Sequence, residues 1–190
     1  MIKSCQLIIL LLCMSGVLAQ KAGQECFPPK SNTLVYDVAG ILSPNDREGL
    51  NDQLNHFHDS TSNQIAVVIV PDLCGMDKAQ FAIELGEYWG VGHQKEDNGV
   101  IILIQPKTAR NKGQVFIATG RGLEAVIPDA TCKIIVDREM IPLFKEGRYK
   151  DGIEAATNIL TSLARKEFSS DQYKNQLSIP LRPQLNKQKV

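Results

Sequence analysis

Two short runs of apolar residues limit what this chain can fold into more than any other feature. Residues 65–70, IAVVIV, and residues 100–104, VIILI, are apolar throughout and rich in β-branched side chains. Each is too short for a good helix, and neither alternates with polar residues. They read as strands buried on both faces, the pattern of a parallel sheet covered on both sides. Between them lies a helical segment. Asp77 is its N-cap, Gln80 completes a capping-box pattern, Phe81, Leu85, Tyr88 and Trp89 form its apolar stripe, and Gly90 ends it. Strand, helix and strand of these lengths make a βαβ unit, with parallel neighbouring strands and a right-handed crossover.

The flanking segments extend this unit. A short extended piece at residues 34–36 runs into a turn over residues 37–40. Ser43 then caps a helix over residues 44–59, with Pro44 at its first position and Leu50, Leu54 and Phe57 on one face. Residues 114–118 read as a third strand, antiparallel to the second. A glycine-containing loop, TGRGLEAVIPDA, leads to a helix over residues 130–144. A fourth helix follows, with Ile153, Ala156, Ile159, Leu160 and Leu163 inward. The result is an α/β fold in which a mixed, mostly parallel sheet carries helices on both faces.

The ends read differently from the middle. Lys3, the apolar stretch over residues 7–14 and the small residue Ala19 form a secretory signal peptide over residues 1–19, too short in its apolar part to span a bilayer. Cys13 allows a lipoprotein alternative, although Leu12 before it is a poor match to a lipobox. Residues 20–31 read as a linker, residues 32–168 as the domain, and residues 169–190 as a polar flexible tail. No other segment is apolar enough for a membrane span, so the mature chain is expected to be exported, either periplasmic or secreted. Charge is balanced at 21 basic and 21 acidic residues, and the basic ones are scattered. A basic stripe is missing, which argues against nucleic acid as a partner. Beyond the signal peptide only Cys26, Cys74 and Cys132 remain, so at most one internal bridge can form.

Candidate chemistry gathers in the loops. Glu96, Asp97 and Asn98 stand at the mouth of the second strand, either as a solvated turn or as oxygen ligands at the sheet's edge. An antiparallel third strand would end beside that mouth, bringing Glu124 and Asp129 toward Asp97, and Asp37 could reach the same edge. Carboxylates gathered in this way suit a hard cation such as Ca²⁺ or Mg²⁺. Each also has a plain structural use: Asp97-Asn98-Gly99 is a sound turn, Asp129 a candidate N-cap and Asp37 a candidate Asx turn. The spacing of Cys132 and Arg138, C-x5-R, matches cysteine-dependent phosphatases. The residues between them lack glycine and lie in a helical pattern, so they cannot form the required anion-binding loop. Tyr88 and Trp89 read as core. His56 and His58 lie two apart on a helix and point apart, and His93 stands alone in a loop.

The stretches VYDVAGILS, YWGVGHQKEDNGVIILI, ATGRGLEAVIPDA and LFKEGRYKDGI closely resemble the TPM domain family, in the family's order and over residues 34–165. The resemblance implies a three-layer α/β/α sandwich. It also implies a groove of acidic loop residues binding divalent cations, most often Ca²⁺, with Asp37, Asp97, Glu124 and Asp129 at the family's acidic positions. It implies a protein partner of unknown identity, through assembly, maintenance or regulation of an envelope protein complex. The family's acid phosphatase label supplies an alternative, in which a carboxylate-held metal polarises phosphate. A structural module that binds no metal is a further alternative. Many relatives carry a transmembrane helix and a glycine-rich tail after the domain, and neither is present in this sequence.

Overall fold

The structure is a computed structural model that describes residues 26–109 and 111–178. The expected signal peptide, the expected linker before Cys26 and the end of the expected tail lie outside the described residues. Four strands form one sheet in the order β1-β2-β3-β4: β1 (Val35–Asp37), β2 (Gln64–Ile69), β3 (Gly99–Gln105) and β4 (Gln114–Thr119). The first three are parallel and β4 is antiparallel to β3, so the sheet is mixed and mostly parallel. Helix α1 (Pro44–Thr61) joins β1 to β2, and α2 (Lys78–Trp89) joins β2 to β3. After β4 come α3 (Asp129–Ile135), α4 (Ile141–Lys145), α5 (Tyr149–Ala164) and α6 (Ser170–Ser178).

The two apolar runs are the central strands, and their period of two divides the core. Ile65, Val67, Ile69, Val100, Ile102 and Ile104 pack with Leu50, Leu54 and Phe57 of α1 and with Ile153, Ala156 and Leu160 of α5. Ala66, Val68, Val70, Ile101 and Leu103 face the other way, onto Phe81, Ala82, Leu85 and Trp89 of α2. These layers form an α/β/α sandwich. The two crossovers step the same way across the sheet, yet α1 and α2 cover opposite faces. The two βαβ connections therefore have opposite hands, and one of them departs from the usual right-handed rule.

Local chemistry explains the helix ends. Ser43 accepts from the Asp46 N–H at 3.2 Å, and Asp77 accepts from Ala79 and Gln80 N–H groups at 2.8 and 3.4 Å. The capping box at α2 is only half made, because the Gln80 side chain bonds Glu84 instead of returning to the cap. The helix expected over residues 130–144 is one continuous helical path with a π turn at Val136–Met140. Pro142 has no N–H to close a regular turn, and the Ile141 N–H reaches back to the Val136 carbonyl.

Two terminal readings are corrected. The linker over residues 20–31 is part of the domain from Cys26 onward. Cys26 is bonded to Cys74, Phe27 is buried beside Phe81, and the Trp89 indole N–H donates to the Pro28 carbonyl at 2.9 Å. Closing a loop across 48 positions stabilises the fold by about 4 kcal/mol through chain entropy. The polar tail is helical over Ser170–Ser178, and its one aromatic, Tyr173, is buried in the main core. The tail is too polar for a long helical stripe to be read from sequence, and it docks through Tyr173, Leu177 four positions on, and the Ser170 hydroxyl, which donates to the Val126 carbonyl at 2.7 Å. The Tyr173 hydroxyl donates to Glu139 at 2.9 Å, and burial, then this carboxylate, raise the phenol's pKa. Tyr173→Phe removes a bond to a charged group, so melting should fall by the equivalent of roughly 1.5 to 3 kcal/mol. An unchanged melting temperature would mean that the Tyr173–Glu139 bond does not help to hold α6.

Candidate functional site

The β3–β4 pairing builds the edge that the acidic residues share. In its register Val100 lies opposite Thr119, and the Gly120 N–H continues the ladder to the Gly99 carbonyl at 2.8 Å. The loop before β3 thus meets the loop after β4. Asp97 sits at their joint. Its backbone is left-handed, φ 47°, which Asp tolerates better than most residues. Its carbonyl accepts from the Gly122 N–H at 2.9 Å, and its Oδ2 from the Arg121 N–H at 3.1 Å. A Cβ at Gly120 would strike the Asp97 carbonyl, and one at Gly122 the Glu96 carbonyl. The two glycines allow the loops to touch backbone to backbone.

Gly99, which the sequence offers as a turn residue, is the first residue of β3. Its φ is not positive, and its missing side chain makes room for the Val91 carbonyl. Asn98 is corrected as an oxygen ligand. It is buried, its Oδ1 accepts from the His93 N–H at 2.8 Å and its Nδ2 donates to the Ser62 carbonyl at 2.8 Å. It ties the strand mouth to the end of α1.

The four carboxylates do not share one place. Asp97 and Glu124 belong to the joined loops, and both are exposed. Asp129 is the first residue of α3. The cap itself is Pro128, so Asp129 makes no side-chain cap bond. Asp37 is at the opposite end of the sheet. It pairs with Ile69, which pairs with Ile104, whereas Asp97 precedes Gly99, which pairs with Gln64. Five strand steps separate the two ends, roughly 17 Å. Both Asp37 oxygens are engaged, by the Gly40 and Leu42 N–H groups at 2.8 Å each. Asp37 is the Asx-type turn that its sequence allowed. The four do not fit a single ion, and among the described residues no three His, Cys, Asp or Glu side chains are placed to hold one. Asp97 with Glu124 is a smaller set. One contact from Arg121 leaves most of the Asp97 carboxylate's lone pairs unused.

Among the described residues Cys132 is the free cysteine, buried in the core. Burial, and then the charge of Asp129, push its thiol up to about 12. A thiol in that state is no nucleophile at neutral pH.

One pairing was invisible in sequence. His58, near the end of α1, and His93, after α2, lie 35 positions apart but stack with ring centres 5.9 Å apart. Both line a cavity of about 170 Å³ with Lys30, Gln64, Trp89 and Gly90. Only the sheet, at whose edge β2 and β3 begin together after the two helices, brings them together.

An α/β/α domain with acidic loops joined at the mouth of its central strand defines the class of protein. The TPM domain profile matches residues 35–163, more than half of the chain, and the chain belongs to that family. It is similar to the N-terminal domain of a protein from P. gingivalis, at 30% identity and a TM-score of 0.63, covering 72% of this chain and 85% of that one. It also shares its fold with the N-terminal domain of the cg2496 protein from Corynebacterium glutamicum, at 19% identity and TM-score 0.53, covering 75% and 84%. The BA42 protein from the psychrophilic bacterium Bizionia argentinensis is alike at 19% identity and TM-score 0.57, covering 70% and 88%. No curated protein matches this chain.

Two expectations follow. Gly122→Ala should lower stability by about 1 to 3 kcal/mol, because the loops must separate to admit a methyl group. A melting temperature equal to the wild type would show that the joint is looser than described. Cys132 should resist thiol reagents at pH 8 in the folded protein and react on unfolding. Its raised pKa adds stability that is present below the unfolded thiol's value and is lost as pH rises from about 9 toward 12. Full labelling of the folded protein at pH 8 would contradict this.

Proposed function

We propose that this chain is an exported TPM domain that binds a hard divalent cation, Ca²⁺ or Mg²⁺, at the Asp97 edge. In this reading it assists assembly, maintenance or regulation of an envelope protein complex. The observation that carries the cation reading is the joint itself. Asp97 is exposed, its carbonyl and carboxylate are tied to the loop after β4, which also carries Glu124, and most of its carboxylate lone pairs stay free. Its position does not depend on an ion, so no refolding opposes binding. Carboxylates supply part of a Ca²⁺ shell, and carbonyls and water supply the rest. A site with so few charged ligands is weak, in the range of roughly 10⁻⁴ to 10⁻³ M found for extracellular modules. The Cys26–Cys74 bond supports export, because such bonds persist in oxidising compartments. Membership of the family supports the role in a complex, and among the described residues no helix is long and apolar enough to cross a membrane.

Thermal melts test the reading. At ten times Kd the ion adds about 1.4 kcal/mol, a rise of roughly 3 to 6 °C for a domain of this size. Asp97→Asn should abolish most of that rise and leave the ion-free melting temperature unchanged, because Asn suits the left-handed turn and can accept from Arg121. Asp37→Asn should do the reverse. It should keep the rise and lower ion-free stability by about 1 kcal/mol, since the amide nitrogen is a donor and cannot replace the oxygen that one of the two N–H groups needs. A wild type that melts identically with and without millimolar Ca²⁺ and Mg²⁺ would end the cation reading.

A further inference from the structure

We infer that His58 and His93 form a second, chemically distinct ion site, which takes a borderline transition-metal dication such as Zn²⁺ through ring nitrogens. The His58 Nδ1 lies 3.2 Å from the Asn63 carbonyl. A carbonyl can only accept, so Nδ1 carries the hydrogen and the Nε2 lone pair of the neutral ring is left for a ligand. Metal-binding histidines are held in this way, with one nitrogen fixed on a carbonyl and the other on the ion. His93 supplies the second ring, exposed and with its centre 5.9 Å away. Two imidazoles sharing one ion at metal–nitrogen distances of about 2.0 Å have centres roughly 5 to 6.5 Å apart.

The surroundings select the class of ligand. The cavity of about 170 Å³ that His58, His93 and Gly90 help to line has room for an ion and its remaining waters. No carboxylate lines it, so it offers little to Ca²⁺ or Mg²⁺, whereas imidazole suits Zn²⁺, Cu²⁺ and Ni²⁺. Two helices end there. His58 is in the last turn of α1, and Gly90 is the C-cap of α2. Helix C-termini carry partial negative charge and favour a cation over an anion. Lys30 reaches the end of α2, its Nζ 4.0 Å from where a Cβ at Gly90 would lie. Its charge is partly offset by that helix end. The His93 backbone is anchored by Asn98, which joins it to Ser62 beyond α1, so the loop carrying one ligand is tied to the helix carrying the other.

Calorimetry with ZnCl₂ on the untagged chain, at pH 7.5 in a non-chelating buffer, tests the site. A saturable one-to-one isotherm is expected, undiminished by millimolar Ca²⁺. His93→Gln, an exposed change that leaves the core intact, should weaken binding by at least about tenfold, since losing even an outer partner of a ligand costs 10- to 100-fold. His58→Gln should do the same, with its fold checked by melting. His56→Gln and Asp97→Asn should bind like the wild type, which separates this site from the Asp97 edge. In NMR spectra, Zn²⁺ should move the ring protons of His58 and His93 and leave those of His56 in place. No isotherm, an isotherm retained in His93→Gln, or one lost in Asp97→Asn or His56→Gln would overturn the inference.

Discussion

The antiparallel pairing of β3 with β4 is the constraint on which the rest of the candidate site depends. Opposing Val100 to Thr119 sets the loop at Asp97 against the loop at Gly120 and Gly122. A slip of one residue would turn Ile102 and Ile104 out of the main core and Ile101 and Leu103 into it. The buried strand and the exposed acidic edge are therefore one feature. The apolar residues of β3 fix the register, the register fixes the joint, and two glycines allow the joint to close. Asp97 is held through its carbonyl and one carboxylate oxygen, so most of its carboxylate's lone pairs remain free for other work.

Much of this was legible because it is local. The two apolar runs, the caps Ser43 and Asp77 and the stop at Gly90 each announce themselves within a few residues. The antiparallel third strand followed from its short connection. What sequence hid is non-local. β1 is three residues long, and only its parallel pairing with β2 shows that Asp37 ends on the far side of the sheet. Asp37 and Asp97 look alike in sequence and sit at opposite ends of parallel strands. Neither the opposite hands of the two crossovers nor the meeting of His58 with His93 has a local signal. The helix over Ser170–Ser178 was hidden by its polarity, since Tyr173 and Leu177 alone are too short a stripe to stand out.

The fold separates chemistries by sheet geometry. At the β3–β4 mouth the available donors are carboxylate and carbonyl oxygens, and at the ends of α1 and α2 they are imidazole nitrogens. Asn98 lies between the two places. It holds the His93 backbone on one side and precedes β3 on the other. Its burial explains why a polar residue at the head of an apolar strand is structural, while its neighbour Asp97 is exposed.

The most direct test of the account is an amide NMR map of Ca²⁺ addition to the whole chain. If the cation belongs to the joint of the two loops, the N–H signals of Arg121 and Gly122 should shift and saturate together. Those of Gly40 and Leu42, which donate to Asp37, should stay fixed. Movement at Gly40 and Leu42 with none at Arg121 and Gly122 would place the ion at the other end of the sheet and contradict the account.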